Sequence, residues 1–265
     1  MRMMTELDEN EALVEQLFRE HFALHIEKLP EGREKSSDFC AFDGTNRYLI
    51  ELKTKYRNPE ETSGRESQFQ KGGTAIFSRS LERRSSVTKN ISDAVAQIGS
   101  SDVGGEAFRI VFFLLRDFDA DERWESILAN LYGIESVVDW SDEGEARKCY
   151  YFNSSDNYRY RERLDATIIM IAESEKAVIC LNDHSPKYNT MSKSKLVHLF
   201  EDCVIDPIIM EETGDIWIAR GDIKRSGKAS VIQYLREKYS LSERTMSVTM
   251  TYVSATTLVS DKRDT

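Results

Sequence analysis

Ser37-Asp38-Phe39-Cys40-Ala41-Phe42-Asp43-Gly44-Thr45-Asn46-Arg47-Tyr48-Leu49-Ile50-Glu51-Leu52-Lys53 is the stretch that decides how this chain folds. Two short apolar runs flank Asp43-Gly44-Thr45-Asn46, a turn-forming break that predicts a hairpin. Glu51 and Lys53 stand two apart in the second run, so in a strand both project from one face, with Ile50 and Leu52 on the other. Asp38 starts the first run, and a hairpin brings it beside that face. Two carboxylates and one ammonium then converge at a sheet edge. Carboxylates with open coordination positions suit a hard divalent cation such as Mg²⁺. A lysine beside the metal holds or helps deprotonate an attacking water. The bland alternative is a solvated strand with ordinary surface charges. Against it, Glu51-Leu52-Lys53 ends a Tyr-Leu-Ile run, where charges are seldom buried without a partner.

Asp38, a gap of twelve residues, then Glu51-Leu52-Lys53 resembles the PD-(D/E)XK nuclease superfamily, with Ser37 where that family often has proline. The resemblance is one of motif and local pattern over roughly residues 8 to 116. It implies an α/β fold: a restriction-endonuclease-like mixed β-sheet flanked by helices. The function it implies is that of a Mg²⁺- or Mn²⁺-dependent endonuclease hydrolysing phosphodiester bonds, in DNA more than RNA, in defence or repair. Asp38, Glu51 and the Leu52 carbonyl would hold the metal, and Lys53 would position or activate water. The second reading is a noncatalytic nucleic-acid-binding or scaffold subunit of a defence or repair complex.

The flanks supply the rest of such a core. Residues 6 to 22 predict a helix capped by Thr5 with Asp8, with Leu13, Val14, Leu17, Phe18 and Phe22 as its apolar stripe. In the family this helix often carries a glutamate near the metal. Glu11 is best placed and Glu15 second, against a solvated helix charge. Thr88 to Ile98 predicts a second helix, with Ile91, Ala94, Val95 and Ile98 on one face, and Phe108 to Leu115 a buried strand. Lys89 and Gln97 sit on that helix, where such nucleases often place a polar residue near the active site, and Gln97 is the more suggestive. Tyr56 to Ser86 is a long polar stretch rich in cations, among them Arg79, Arg83 and Arg84. It is read either as a phosphate-contacting loop, together with Lys89, or as plain disorder.

Composition shifts after about residue 118, which suggests a nuclease core over residues 1–118. Residues 119–265 would then be a C-terminal α+β extension for association or substrate binding; the boundary is soft, and the later strands could still extend the first sheet. Within it, Asp119 to Leu131 predicts a helix stopped by Gly133, Thr167 to Ala172 and Ala177 to Leu181 a hairpin, and Ser192 to Cys203 a helix. Asp215 to Ala219 predicts a strand, Ser230 to Tyr239 a helix and Met246 to Val253 a last strand. Residues 140 to 163 interleave Tyr150, Tyr151, Phe152, Tyr158 and Tyr160 with Arg147, Lys148, Arg159, Arg161 and Arg163. That pattern fits base stacking with phosphate contact, or paired strands with tyrosines on the buried face.

A net charge of −10 over 265 residues argues against a chain that coats nucleic acid unaided. Local basic surface, a homodimer or a larger complex would have to supply the contact. No leader or membrane span is read, so a cytoplasmic protein without a membrane partner is expected. Cys40, Cys149, Cys180 and Cys203 lack zinc-site spacing and read as reduced core thiols. Gly221 to Ser230 imitates a phosphate loop but has five residues between its glycines, and Ala229 replaces the magnesium-binding hydroxyl. A looser phosphate grip by Lys224, Arg225 and Lys228 stays open. His21 and His25 have the spacing of a zinc pair but no third ligand.

Overall fold

The computed structural model describes residues 8–30, 36–55, 75–80, 84–102, 104–116, 120–141, 144, 146–174, 176–225, 227–249 and 251–256. Helix α1 (Glu9–Gln16) leads into a π-helical segment, Leu17–His21. Its N-cap is Asp8, not Thr5, which lies outside the described residues. Asp8 accepts from the Asn10 and Glu11 amides at 2.9 and 2.8 Å, and the Glu11 carboxylate accepts from the Asp8 amide at 3.0 Å. This reciprocal box starts the helix at Glu9, later than the start expected at residue 6.

Strands β1 (His25–Lys28), β2 (Phe39–Phe42) and β3 (Arg47–Lys55) form an antiparallel meander. The Asp43 carboxylate closes the β2–β3 turn, accepting from the Thr45 and Asn46 amides at 2.8 and 2.7 Å, while Gly44 takes a φ of +96°. The hairpin therefore forms where the sequence places it. Strand β4 (Ala75–Ser80) falls inside the long polar stretch, most of which lies outside the described residues. Helix α2 (Ser85–Ser101) then returns the chain, so that β5 (Phe108–Leu115) lies parallel to β3.

Helix α3 (Ala120–Tyr132) ends at Gly133, at φ +60°, where an added Cβ would lie 2.4 Å from the Asn153 carbonyl oxygen. Strands β6 (Glu135–Asp139) and β7 (Ala146–Tyr150) follow, then the short α4 (Asp156–Arg159). Paired strands were one reading of residues 140 to 163; one strand and one helical turn form instead. Tyr150, Tyr151 and Phe152 are buried, whereas Tyr158 is 48% exposed. Strands β8 (Ala166–Ile171) and β9 (Lys176–Leu181) make the expected hairpin.

The expected helix from Ser192 to Cys203 is not continuous. Short turns α5 (Tyr188–Met191) and α6 (Lys195–His198) replace it, because Ser194 caps a new start and Glu201 adopts φ +47°. After β10 (Val204–Ile205), α7 (Pro207–Glu212) and β11 (Trp217–Ile218) comes α8 (Lys228–Tyr239). The single final strand divides into β12 (Thr245–Val248), which pairs with β6, and β13 (Thr251–Thr256), which pairs with β4.

Among the described residues the strands form three sheets. The principal one is mixed and seven-stranded, in the order β1-β2-β3-β5-β8-β9-β10. The second runs β11-β7-β6-β12, and the third is β13-β4. Strand β8 pairs directly with β5, so the principal sheet runs across the boundary expected after residue 118. The composition shift marks no break in the core, because β5 needs β8 to satisfy its second edge.

Helices α2 and α3 cover one face of that sheet, with Ile91, Ile98, Ile127 and Leu131 against Val111, Phe113 and Ile169. Helix α1 and its π segment, with α6, cover the other, with Val14, Phe18 and Leu196 against Ile50, Ile110, Phe112 and Ile168. Burial on both faces explains why β5 reads as an unbroken apolar run. Each such buried side chain contributes about 1.5–3 kcal/mol. A third cluster packs α8 on the second sheet through Val137, Cys149, Trp217 and Leu235. Cys149 and Cys180 are core thiols, but Cys203 is exposed, since it sits at the turn entering β10. No helix among the described residues is long and apolar enough to cross a membrane.

Candidate active site

Alternation along β3 sorts its side chains. Ile50 and Leu52 join the α1 side of the sheet and Leu49 the α2 side, so Glu51 and Lys53 face α2. Glu51 is 1% exposed. The β2–β3 register pairs Phe39 with Ile50, which puts Asp38 beside Glu51 one step further on. Asp38 is half-buried there, and its Oδ2 accepts a hydrogen bond from the Leu52 amide at 2.8 Å.

Lys53 Nζ donates to Glu51 Oε1 at 2.6 Å and to Gln97 Oε1 at 2.8 Å. Gln97 therefore reaches the site from α2, as its place among Ala94, Val95 and Ile98 suggests. The end of α2 is fastened to the start of β2. The Ser37 amide donates to Ser101 Oγ at 2.8 Å, and Ser101 Oγ donates to the Gln97 carbonyl at 3.3 Å. Sequence reading missed Ser101; its position one turn beyond Gln97 is the signal that was there to find.

Burial sets the electrostatics. It pushes the Glu51 carboxyl up to about 7 despite the hydrogen bond from Lys53, and the neighbouring Asp38 charge adds to the rise. Asp38 is raised too, by burial and by the Glu11 charge, against the opposing pull of the Leu52 amide, Lys53 and Lys28. Two carboxylates thus share a space too dry to hold both charges comfortably.

Of the two helix glutamates, Glu11 is the one whose charge reaches Asp38. It is bound to Lys28 Nζ at 2.6 Å, with both side chains mostly buried. Glu15 instead pairs with Arg19 along the helix at 2.6 Å. Nothing in the sequence pointed to Lys28.

The site residues fit a divalent cation. Glu51 Oε2 is buried with no hydrogen-bond partner, an orphaned carboxylate oxygen whose desolvation a cation would offset. The N–H and C=O of one strand residue point to the same side. The Leu52 carbonyl therefore leaves β3 on the Asp38 side, beyond the first residue of β2. Asp38, Glu51 and that carbonyl are the donors available. No group of three or more His, Cys, Asp and Glu side chains suited to a metal occurs among the described residues. A small protein donor set suits Mg²⁺, which keeps several of its waters.

The basic residues scatter. Arg84 is a structural clamp between α2 and α3. Its amide donates to Asn130 Oδ1 at 2.8 Å, its carbonyl accepts from Asn130 Nδ2 at 2.8 Å, and its guanidinium pairs with the buried Glu122. Lys89 is exposed on α2. The Arg79 backbone lies in β4 opposite Tyr252, and Arg83 falls outside the described residues. Comparison of the chain with family models, with curated proteins and with solved structures finds no match.

Proposed function

We propose that this chain is a metal-dependent nuclease of the restriction-endonuclease-like fold, hydrolysing phosphodiester bonds in DNA in the cytoplasm, in defence or repair. One observation carries the reading. The Asp38 carboxylate, the orphaned Glu51 Oε2 and the Lys53 ammonium converge on one sheet face, with Gln97 holding Lys53.

Each residue then has a task. Asp38 and Glu51, with the Leu52 carbonyl, would hold Mg²⁺ or Mn²⁺, and Glu51 would give up the proton that burial favours on taking up a cation. The chemistry such an ion would supply is to offset negative charge on the scissile phosphate and to lower the pKa of a water. Lys53, fixed between Glu51 and Gln97, orients a water toward phosphorus or shields the leaving oxygen. Glu11 holds Lys28 and adds negative charge at the Asp38 side. A double-strand cut calls for two sites, which favours a homodimer or a larger complex.

The second reading, a noncatalytic nucleic-acid-binding subunit, is favoured by the same 2.6 Å contact between Lys53 and Glu51, since that pair already offsets the buried charge without a cation. The deciding experiment pairs melting with cleavage. Wild type and Glu51→Gln are melted with and without Mg²⁺ or Mn²⁺, then incubated with plasmid, linear and single-stranded DNA and with RNA. A nuclease gains stability with the ion by mass action, cuts at least one substrate, and loses both in Glu51→Gln. Stable protein with neither response supports the noncatalytic subunit.

A further inference from the structure

Two segments marked separately in the sequence, the aromatic and cationic run ending near Arg163 and the loop from Gly221 to Ser230, meet in one cleft. It has a volume of about 590 Å³, inside the roughly 300–1,000 Å³ range of small-ligand pockets. Its floor is aromatic. His184 meets Tyr151 edge-on at 4.6 Å between ring centroids, and Tyr158 at 5.1 Å. Tyr151 is anchored by its hydroxyl to Asp183, which also pairs with Arg220 at 2.6 Å. Burial holds His184 below its usual pKa, so its ring is neutral at neutral pH and available for stacking.

The walls are cationic. The Arg161 guanidinium lies 4.7 Å from the Tyr158 ring centroid, donates to the Tyr158 carbonyl at 3.0 Å, and among the described residues has as its ion pair a 3.8 Å contact to the exposed Glu162. Arg159 has no ion pair among the described residues. Arg225 donates to four backbone carbonyls, those of Tyr151, Ala219, Gly221 and Ile223, which fix the loop, and it has no ion pair among the described residues. Among the lining residues the single carboxylate is the exposed Asp222. In a chain of net charge −10, three guanidiniums around aromatic rings form a local reversal of sign. Neither an apolar ligand nor a bare anion uses both features; a planar base joined to a phosphate does.

We propose that this cleft binds a nucleotide unit, with its base against Tyr158 and His184 and its phosphate at Arg159 and Arg161. The unit comes either from a free mononucleotide or from the unpaired end of a strand. Asp38, Glu51, Lys53 and Gln97 do not line the cleft, so the inference goes beyond the nuclease reading and stands without it.

Calorimetric titration of the full chain without divalent metal tests the inference. The probes are AMP, ribose 5-phosphate and a short single-stranded oligodeoxythymidine. At least one base-bearing probe should bind, with ribose 5-phosphate weaker by about tenfold or more. Tyr158→Ala and the double variant Arg159→Ala/Arg161→Ala should each weaken binding by about tenfold. Both change outward-facing side chains, and melting should confirm an unchanged fold. AMP equal to the oligomer identifies free nucleotide as the source; an oligomer much tighter than AMP identifies a strand. No binding by either base-bearing probe overturns the proposal. So does unchanged affinity in both variants, or a loss confined to the arginine pair, which would mark a plain phosphate patch.

Discussion

Asp38 is tied to the Leu52 backbone by a 2.8 Å hydrogen bond from amide to carboxylate. That bond makes Asp38 part of the hairpin as well as of the site, and the two roles separate by substitution. Asn retains an acceptor for the Leu52 amide but no charge; Ala retains neither. Asp38→Asn should keep stability within about 1 kcal/mol of wild type, while Asp38→Ala loses about 1–3 kcal/mol. Both should abolish cleavage and the metal-dependent rise in melting temperature. Wild-type cleavage by either purified variant ends the metal-site assignment.

Lys53 and Gln97 act as a pair. Lys53→Ala should leave the shift in melting temperature with Mn²⁺ measurable while turnover disappears, since a protonated lysine offers the metal no lone pair. Gln97→Ala removes only the fixing contact at 2.8 Å, so kcat should fall by about tenfold with KM little changed. Single-turnover rates on saturating substrate distinguish these outcomes. A wild-type rate in Lys53→Ala removes lysine from the mechanism.

Glu51 predicts a pH dependence with a definite sign. Its folded-state pKa is raised from 4.5 to about 7, so between those values the native state holds a proton that the unfolded state has released. Stability without metal should therefore fall as pH rises through that window. Glu51→Gln should flatten the profile and exceed wild type by up to about 3 kcal/mol above neutrality. Denaturant melts across the window check this, and parallel profiles for the two proteins would contradict it.

Arg84 is expected to matter for stability instead of nucleic-acid affinity. Removing its guanidinium takes an ion-pair partner from Glu122, which is 4% exposed as a side chain. Arg84→Ala should cost about 1–3 kcal/mol. The slope of nucleic-acid affinity against salt should stay the same. A flatter slope with unaltered stability would return Arg84 to the phosphate-contacting set.

Periodicity made the hairpin and the strand from Phe108 to Leu115 readable in the sequence, because turn chemistry and double-sided burial leave direct marks there. Gln97 was readable for a related reason: apolar neighbours at helical spacing aim it at the sheet. Lys28 and Ser101 were not, since each acts through a partner distant in sequence, Glu11 and Ser37. Local pattern also cannot tell a cation facing solvent from one clamping two helices, so the pairing of Arg84 with Glu122 and Asn130 left no mark in the sequence. The pairing of β8 with β5 across residue 118 was illegible on similar grounds. Composition averages over neighbours in the chain, whereas sheet order joins strands that are far apart.

The pairing of β5 with β8 makes the two halves one inheritance. A fragment ending at residue 118 would leave the β5 edge from Ile110 to Leu115 unpaired and take Ile168 and Ile169 from beside Phe112 and Phe113. Exposed edges of that kind recruit other strands and aggregate. The Asp38 site therefore cannot be passed to another protein as a cassette of its own motif. Any recombination that carries it must also carry the strands from Ala166 to Leu181, which have no part in its chemistry.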